Sequence, residues 1–130
     1  MTRNPDGPIG FVTLCLYHDS ANPEVVTSML KTTPTKKLRK GARGVAGYGV
    51  PQNEWFLSID IEKSISNAIQ SLLNGPLSNV PSVIDLTTSG WEFIISITLD
   101  HRLELDDSLI SAEQMASLAN LHISCKLRVA

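Results

Sequence analysis

Side chains able to do chemistry gather in one late stretch, LDHRLELDD, where Asp100, Glu104, Asp106 and Asp107 flank His101 and Arg102. Carboxylates this close together could hold Mg²⁺ or Ca²⁺, or divide general acid and base duties between them. Their spacing is not the D-x-[DN]-x-[DN]-G of a calcium loop, and Asp106-Asp107-Ser108 also has the make-up of a turn leading into a capped helix. No metal site is therefore expected. The histidines are His18, His101 and His122. His18-Asp19 and Asp100-His101 set an acid beside an imidazole, yet neighbours along a strand point to opposite faces. Neither H-E-x-x-H nor G-x-S-x-G occurs, and no Cys-His motif of known mechanism is present. Catalysis would need a constellation assembled in space, so the reading leans away from an enzyme and assigns no cofactor.

The second chemically distinct stretch is KTTPTKKLRKGARGVAGYGV, Lys31 to Val50. It carries six of the eleven basic residues and four of the eight glycines, and no acidic residue. A phosphate loop would need G-x-x-x-x-G-K-[ST] directly before a helix, whose N-terminus completes the anion site. Here the glycines run G-A-R-G-V-A-G-Y-G and a strand pattern follows, which argues against both a phosphate loop and a dinucleotide fingerprint. Nucleic acid suits TKKLRKGAR better, because a basic arm neutralises phosphates without reading sequence. Base stacking, however, needs aromatics, and the expected open sheet face offers at most Phe56. Lys36, Lys37, Arg39, Lys40, Arg43 and Tyr48 are the partner-binding candidates of this segment. From Lys31 to Glu54 the six basic residues meet Glu54 alone, a net +5, which leaves −7 on the rest of a chain whose formal charge is −2. The basic segment is expected to lie partly against its own acidic body.

The elements that would position these residues follow from periodicity. FVTLCLY, Phe11 to Tyr17, reads as a buried strand. Asn22, Pro23 and Glu24 open a helix with Val25, Val26, Met29 and Leu30 on one face, and Thr32-Thr33-Pro34 closes it. In WFLSIDI, Trp55, Leu57, Ile59 and Ile61 alternate with Phe56, Ser58 and Asp60, the mark of a half-buried strand. Ser64 caps a helix that buries Ile65, Ala68, Ile69, Leu72 and Leu73, and Asn74-Gly75-Pro76 ends it with a left-handed cap. PLSNVPSVIDLTTSG reads as loop with a short strand at Val83 to Leu86. WEFIISITL is the longest strand signal. Ser111 and Gln114 form a capping box for a helix with Met115, Leu118 and Ala119 inward. ISCKLRV closes the order as a half-exposed strand that could pair with a second copy of itself.

Together these predict an α+β protein: a two-layer sandwich, its sheet antiparallel or mixed, with about three helices on one face in ferredoxin-like order. Residues 1–8 form a tail and 9–130 one domain, with an irregular basic, glycine-rich loop at 31–54. The open sheet face would show Ser58, Asp60, Ser96, Thr98, Ser124, Lys126 and Arg128, and Lys126 and Arg128 join the partner-binding candidates. Cys15 and Cys125 fall in apolar runs and read as buried core thiols, their mutual distance open. The opening MTRNPDGPIG lacks the apolar run of a signal peptide and nothing approaches a membrane span, so a soluble cytoplasmic protein is expected.

The order of features resembles a family of small, mostly bacterial proteins, domain of unknown function 4279. The resemblance rests on FVTLCLY, the helix closing at Leu30 to Pro34, the basic segment ending at Gly41 and the Trp55-Phe56-Leu57-Ser58 strand. SISNAIQSLL, and SAEQMASLANLHIS leading into a polar-alternating strand, complete it. It implies no catalytic residues. What it implies is a bacterial accessory or interaction protein, similar in size and make-up to immunity proteins, which neutralise a partner by binding it. The expectation is thus a non-catalytic domain that binds a protein through the 31–53 loop or the polar sheet face; non-specific nucleic-acid binding and a metal-dependent enzyme using Asp100, His101, Asp106 or Asp107 are the alternatives.

Overall fold

The computed structural model describes residues 10–41, 51–62, 64–99 and 110–129. The 1–8 tail, Arg43, Tyr48 and the LDHRLELDD carboxylates after Leu99 lie outside them. Five strands are present: β1 (Gly10–His18), β2 (Lys36–Leu38), β3 (Asn53–Asp60), β4 (Glu92–Leu99) and β5 (Ser124–Val129). They form one sheet in the order β2-β3-β1-β4-β5. Every neighbouring pair is antiparallel except β4 and β5, which run parallel. The fold is an α+β sandwich with a mixed sheet. Within the ferredoxin-like alternation of elements, the parallel pair sits at one edge and the helix before β5 makes its crossover.

Period two decides what each strand buries. Val12, Leu14 and Leu16 of β1, Trp55 of β3 and Phe93, Ile95, Ile97 and Leu99 of β4 share one face and enter one core cluster. Four helices cover that face: α1 (Glu24–Leu30), α2 (Ile65–Asn74), α3 (Val80–Thr88) and α4 (Ala112–Asn120). They contribute Val26 and Leu30, then Ile65, Ala68, Ile69 and Leu72, then Val83 and Leu86, then Leu118. In FVTLCLY, Phe11, Thr13 and Tyr17 turn the other way and stay partly or largely exposed, while Cys15 on that same face is buried.

The largest correction concerns residues 80–88, which form helix α3 rather than a loop with a strand at Val83 to Leu86. Asn79 caps it, its side chain accepting from Ser82 N at 3.3 Å, and proline stands in the first turn. Val, Ile and Thr favour strands in isolation, but Val83 and Leu86 lie three apart and both reach the core, so burial overrides propensity. The α-helices therefore number four among the described residues, with one turn of 3-10 helix at Pro76–Ser78 between α2 and α3.

Smaller corrections follow the same logic. The 31–54 stretch is not irregular throughout: Lys36–Leu38 adds the short edge strand β2, and β3 already starts at Asn53. Gly75 ends α2 at φ −102°, ψ −108° and not left-handed; α1 instead closes on a left-handed Lys31. Val25, Met115 and Ala119 face solvent. In α4 Gln114, not Met115, turns inward beside Leu118. Its amide donates to Ser66 O at 2.8 Å and Gln70 Oε1 at 3.1 Å, while its oxygen accepts from Ser111 N and Ser66 Oγ. A buried amide in this state costs little to hold and ties α4 to α2.

One glycine is required by close approach. A Cβ on Gly10 would collide with the Thr98 carbonyl oxygen, where β1 pairs with β4. Cys15 and Cys125 occupy opposite faces of the sheet, since Cys15 is in register with Ile94 and Cys125 with its neighbour Ile95. Cys125 is exposed rather than core, because β5 is an edge.

Candidate functional site

The face of the sheet that carries no helix is the broadest surface with mixed chemistry. Register places its side chains in rows. One row runs Lys36, Phe56, Cys15, Ile94, Ser124 from edge to edge. The next runs Ser58, Thr13, Ser96, Lys126, and beyond it Asp60, Phe11, Thr98. On the other side of the apolar row lie Leu38, Glu54, Tyr17 and Glu92.

Phe56, Tyr17 and Phe11 make this face more aromatic than expected. The reading that only Phe56 could stand here is corrected, because Phe11 and Tyr17 share its side of β1's alternation. Tyr17 packs edge-on to Phe56, ring centroids 5.9 Å apart and planes at 78°. Phe11 is 43% exposed, an unusual state for phenylalanine on a central strand. Cys15 is buried in the row between Phe56 and Ile94, its Sγ 3.7 Å from Thr13 O. Thr13 and Ser58 join hydroxyls at 2.8 Å across β1 and β3.

Charge surrounds this apolar strip with both signs. Burial pushes the Glu54 carboxyl above its ordinary value, against the opposing pull of the Lys36 ammonium. Glu92, Asp60 and Lys126 stand exposed at the margins. Of the basic candidates, Lys36 is on the open face, whereas Lys37 turns to the helix side and pairs with Glu24 of α1. Arg39 and Lys40 are exposed just past β2, and the Lys40 N–H donates to the Asn53 side chain. Where it is described, the basic segment meets an acidic side chain of its own protein at Lys37, which pairs with Glu24. Arg128 pairs with Thr98 in the β4–β5 register.

Polar staples hold the end of the sheet near Tyr17. His18 Nδ1 accepts the N–H groups of Ser20 and Ala21, both at 2.9 Å, and Nε2 donates to Ser89 O at 2.8 Å. The ring lies 5.1 Å from Trp91. Asn53, buried, donates to Ala21 O at 2.8 Å. Trp55, fully buried, donates its indole N–H to Thr27 Oγ1 at 3.1 Å. The bonds of His18 to Ser89, Asn53 to Ala21 and Trp55 to Thr27 close over long sequence separations, and no spacing pattern signalled them. His18 is thereby a structural bolt, not half of a catalytic pair with Asp19. Among the described residues no group of three His, Cys, Asp or Glu side chains could hold a metal ion.

The family model Domain of unknown function (DUF4279) matches residues 8–129. The chain belongs to the DUF4279 family. The match runs through every element from β1 to β5, so the open face belongs to the DUF4279 domain itself and is no appendage. No curated protein and no solved structure matches this DUF4279 chain. No helix among its described residues is long and apolar enough to cross a membrane.

Proposed function

We propose that this is a non-catalytic binding domain, of the immunity or accessory type, which recognises a protein partner on the open face of its sheet. The observation that carries the reading is the strip Phe11, Tyr17, Phe56 and Ile94, left without a helix cover and rimmed by Lys36, Glu54, Glu92 and Lys126. An aromatic centre with a polar rim of both signs is how protein interfaces are composed. A rigid scaffold bolted through His18, Asn53 and Trp55 presents it with little ordering cost on binding.

Site-specific photo-crosslinking in the source cells tests this. A crosslinker at Ser58 is expected to capture one protein reproducibly, and one at Ile84 on the helical side to capture none. Recovery of the domain as a partner-free species from both positions would count against it.

A second reading follows from the same aromatics, which are the stacking groups that a single-stranded nucleic acid would use. Against it, Glu54, Asp60 and Glu92 share the face and oppose phosphates. Absence of any DNA or RNA shift at low salt removes this alternative.

A further inference from the structure

We propose that the outer edge of β5 is a docking site for an extended peptide segment of a partner protein, one that alternates apolar and acidic residues. The proposal rests on the protein-binding reading and gives it a mode, strand addition.

A sheet edge presents N–H and C=O groups without partners, which an added strand can satisfy. Among the described residues β5 pairs only with β4, so its other side is an edge six residues long. The opposite edge, β2, has three residues and its Lys37 is already paired with Glu24. Length and free side chains therefore favour β5.

The two faces of the edge differ, and this sets the ligand. On the helix side a groove of about 270 Å³ runs beside the strand, lined by Ile65, Ile97, Ile110, Met115, Cys125 and Leu127, with Lys126 also contributing to its wall. Met115 is 60% and Leu127 53% exposed, so the groove opens to solvent at the strand. On the open-face side Ser124 and Lys126 are exposed. An incoming strand would set every second side chain against Met115 and Leu127 and the intervening ones beside Lys126. Apolar residues suit the first set and carboxylates the second.

A second copy of this chain suits the edge less well. In a two-fold antiparallel pair, residues that face each other share a side, so the registers pairing most of β5 set Lys126 opposite itself or opposite Arg128. Like charges directly across a pair are destabilising, and lysine on an edge is a known guard against self-association.

The test uses the intact protein and an acetylated, amidated peptide alternating valine and glutamate, followed by titration calorimetry and amide NMR. Binding is expected, with the largest shifts at Ser124 to Val129. N-methylation of alternate peptide nitrogens on the pairing edge should abolish it, because strand addition needs those donors. Lys126→Glu should weaken the glutamate peptide about tenfold and favour its lysine counterpart; the position is exposed, so folding is not at stake. No binding at millimolar peptide, or binding indifferent to N-methylation, overturns the proposal. So does concentration-dependent dimerisation that Lys126→Glu abolishes or strengthens. If the Ser58 crosslinker still captures a partner in that event, protein binding stands and only the strand-addition mode fails.

Discussion

Tyr17 of β1 and Phe56 of β3 meet edge to face on the side of the sheet that no helix covers, at a centroid distance of 5.9 Å. They are diagonal neighbours, since Phe56 is in register with Cys15 and Tyr17 with Glu54. The contact steadies the strip on the face that no helix covers.

A double-mutant cycle on Tyr17→Ala and Phe56→Ala should therefore give a coupling of about 1 kcal/mol by urea unfolding. Both single variants should remain folded, because the core lies on the other face. Coupling near zero would remove the pair from the account of this surface.

Gln114 is the buried polar link between α4 and α2. Gln114→Ala leaves the Ser66 carbonyl without its donor and removes half of the capping box, so a loss of roughly 2 kcal/mol is expected. Exposed Met115→Ala, one residue along, should change stability by less than about 0.5 kcal/mol. Chemical denaturation of both variants checks the contrast.

Gly10 is held by backbone contact. Gly10→Ala brings a methyl against the Thr98 carbonyl and should cost about 3 kcal/mol. Gly41→Ala meets no atom within 4 Å and carries only the strain of its φ of +87°, about 1 kcal/mol. Thermal unfolding should rank them in that order.

The raised Glu54 pKa predicts a pH dependence with a definite sign. With the folded value above the unfolded one near 4.5, the group's relative contribution is fully present below pH 4.5 and is lost as pH rises through the folded value. Glu54→Gln should accordingly raise Tm at neutral pH, and the gain should vanish below pH 4.5. A constant gain across this window would contradict the burial assigned to Glu54.

Partial burial also pushes the Cys125 thiol above its usual value. Less thiolate is then available at mildly alkaline pH, so Cys125 should alkylate more slowly than a small model thiol although it is exposed. Buried Cys15 should react only on unfolding, which mass spectrometry after timed iodoacetamide treatment can follow.

Local signals in the chain were enough for the fold class, four of the five strands and three of the four α-helices. Ser64 and the Ser111–Gln114 box cap their helices as read, because a cap is a contact between residues three apart. The α+β sandwich itself follows from alternation at Trp55 to Ile61 and Trp91 to Leu99. Helix α3 was hidden by its β-branched composition, and β2 by its length, since three residues with a Lys-Lys pair carry no period. Of the candidate site, Lys36, Lys126 and the polar residues of the open face were legible from alternation. Phe11 and Tyr17 were not, although Thr13 at the same parity was the available hint. What lay beyond reach was everything set by register: the row from Lys36 through Phe56 and Cys15 to Ile94, the parallel β4–β5 edge, and the bonds of His18 to Ser89 and Trp55 to Thr27. Those contacts join residues far apart in the chain, and only the packing of helices on one side of the sheet decides which face of it is left for others.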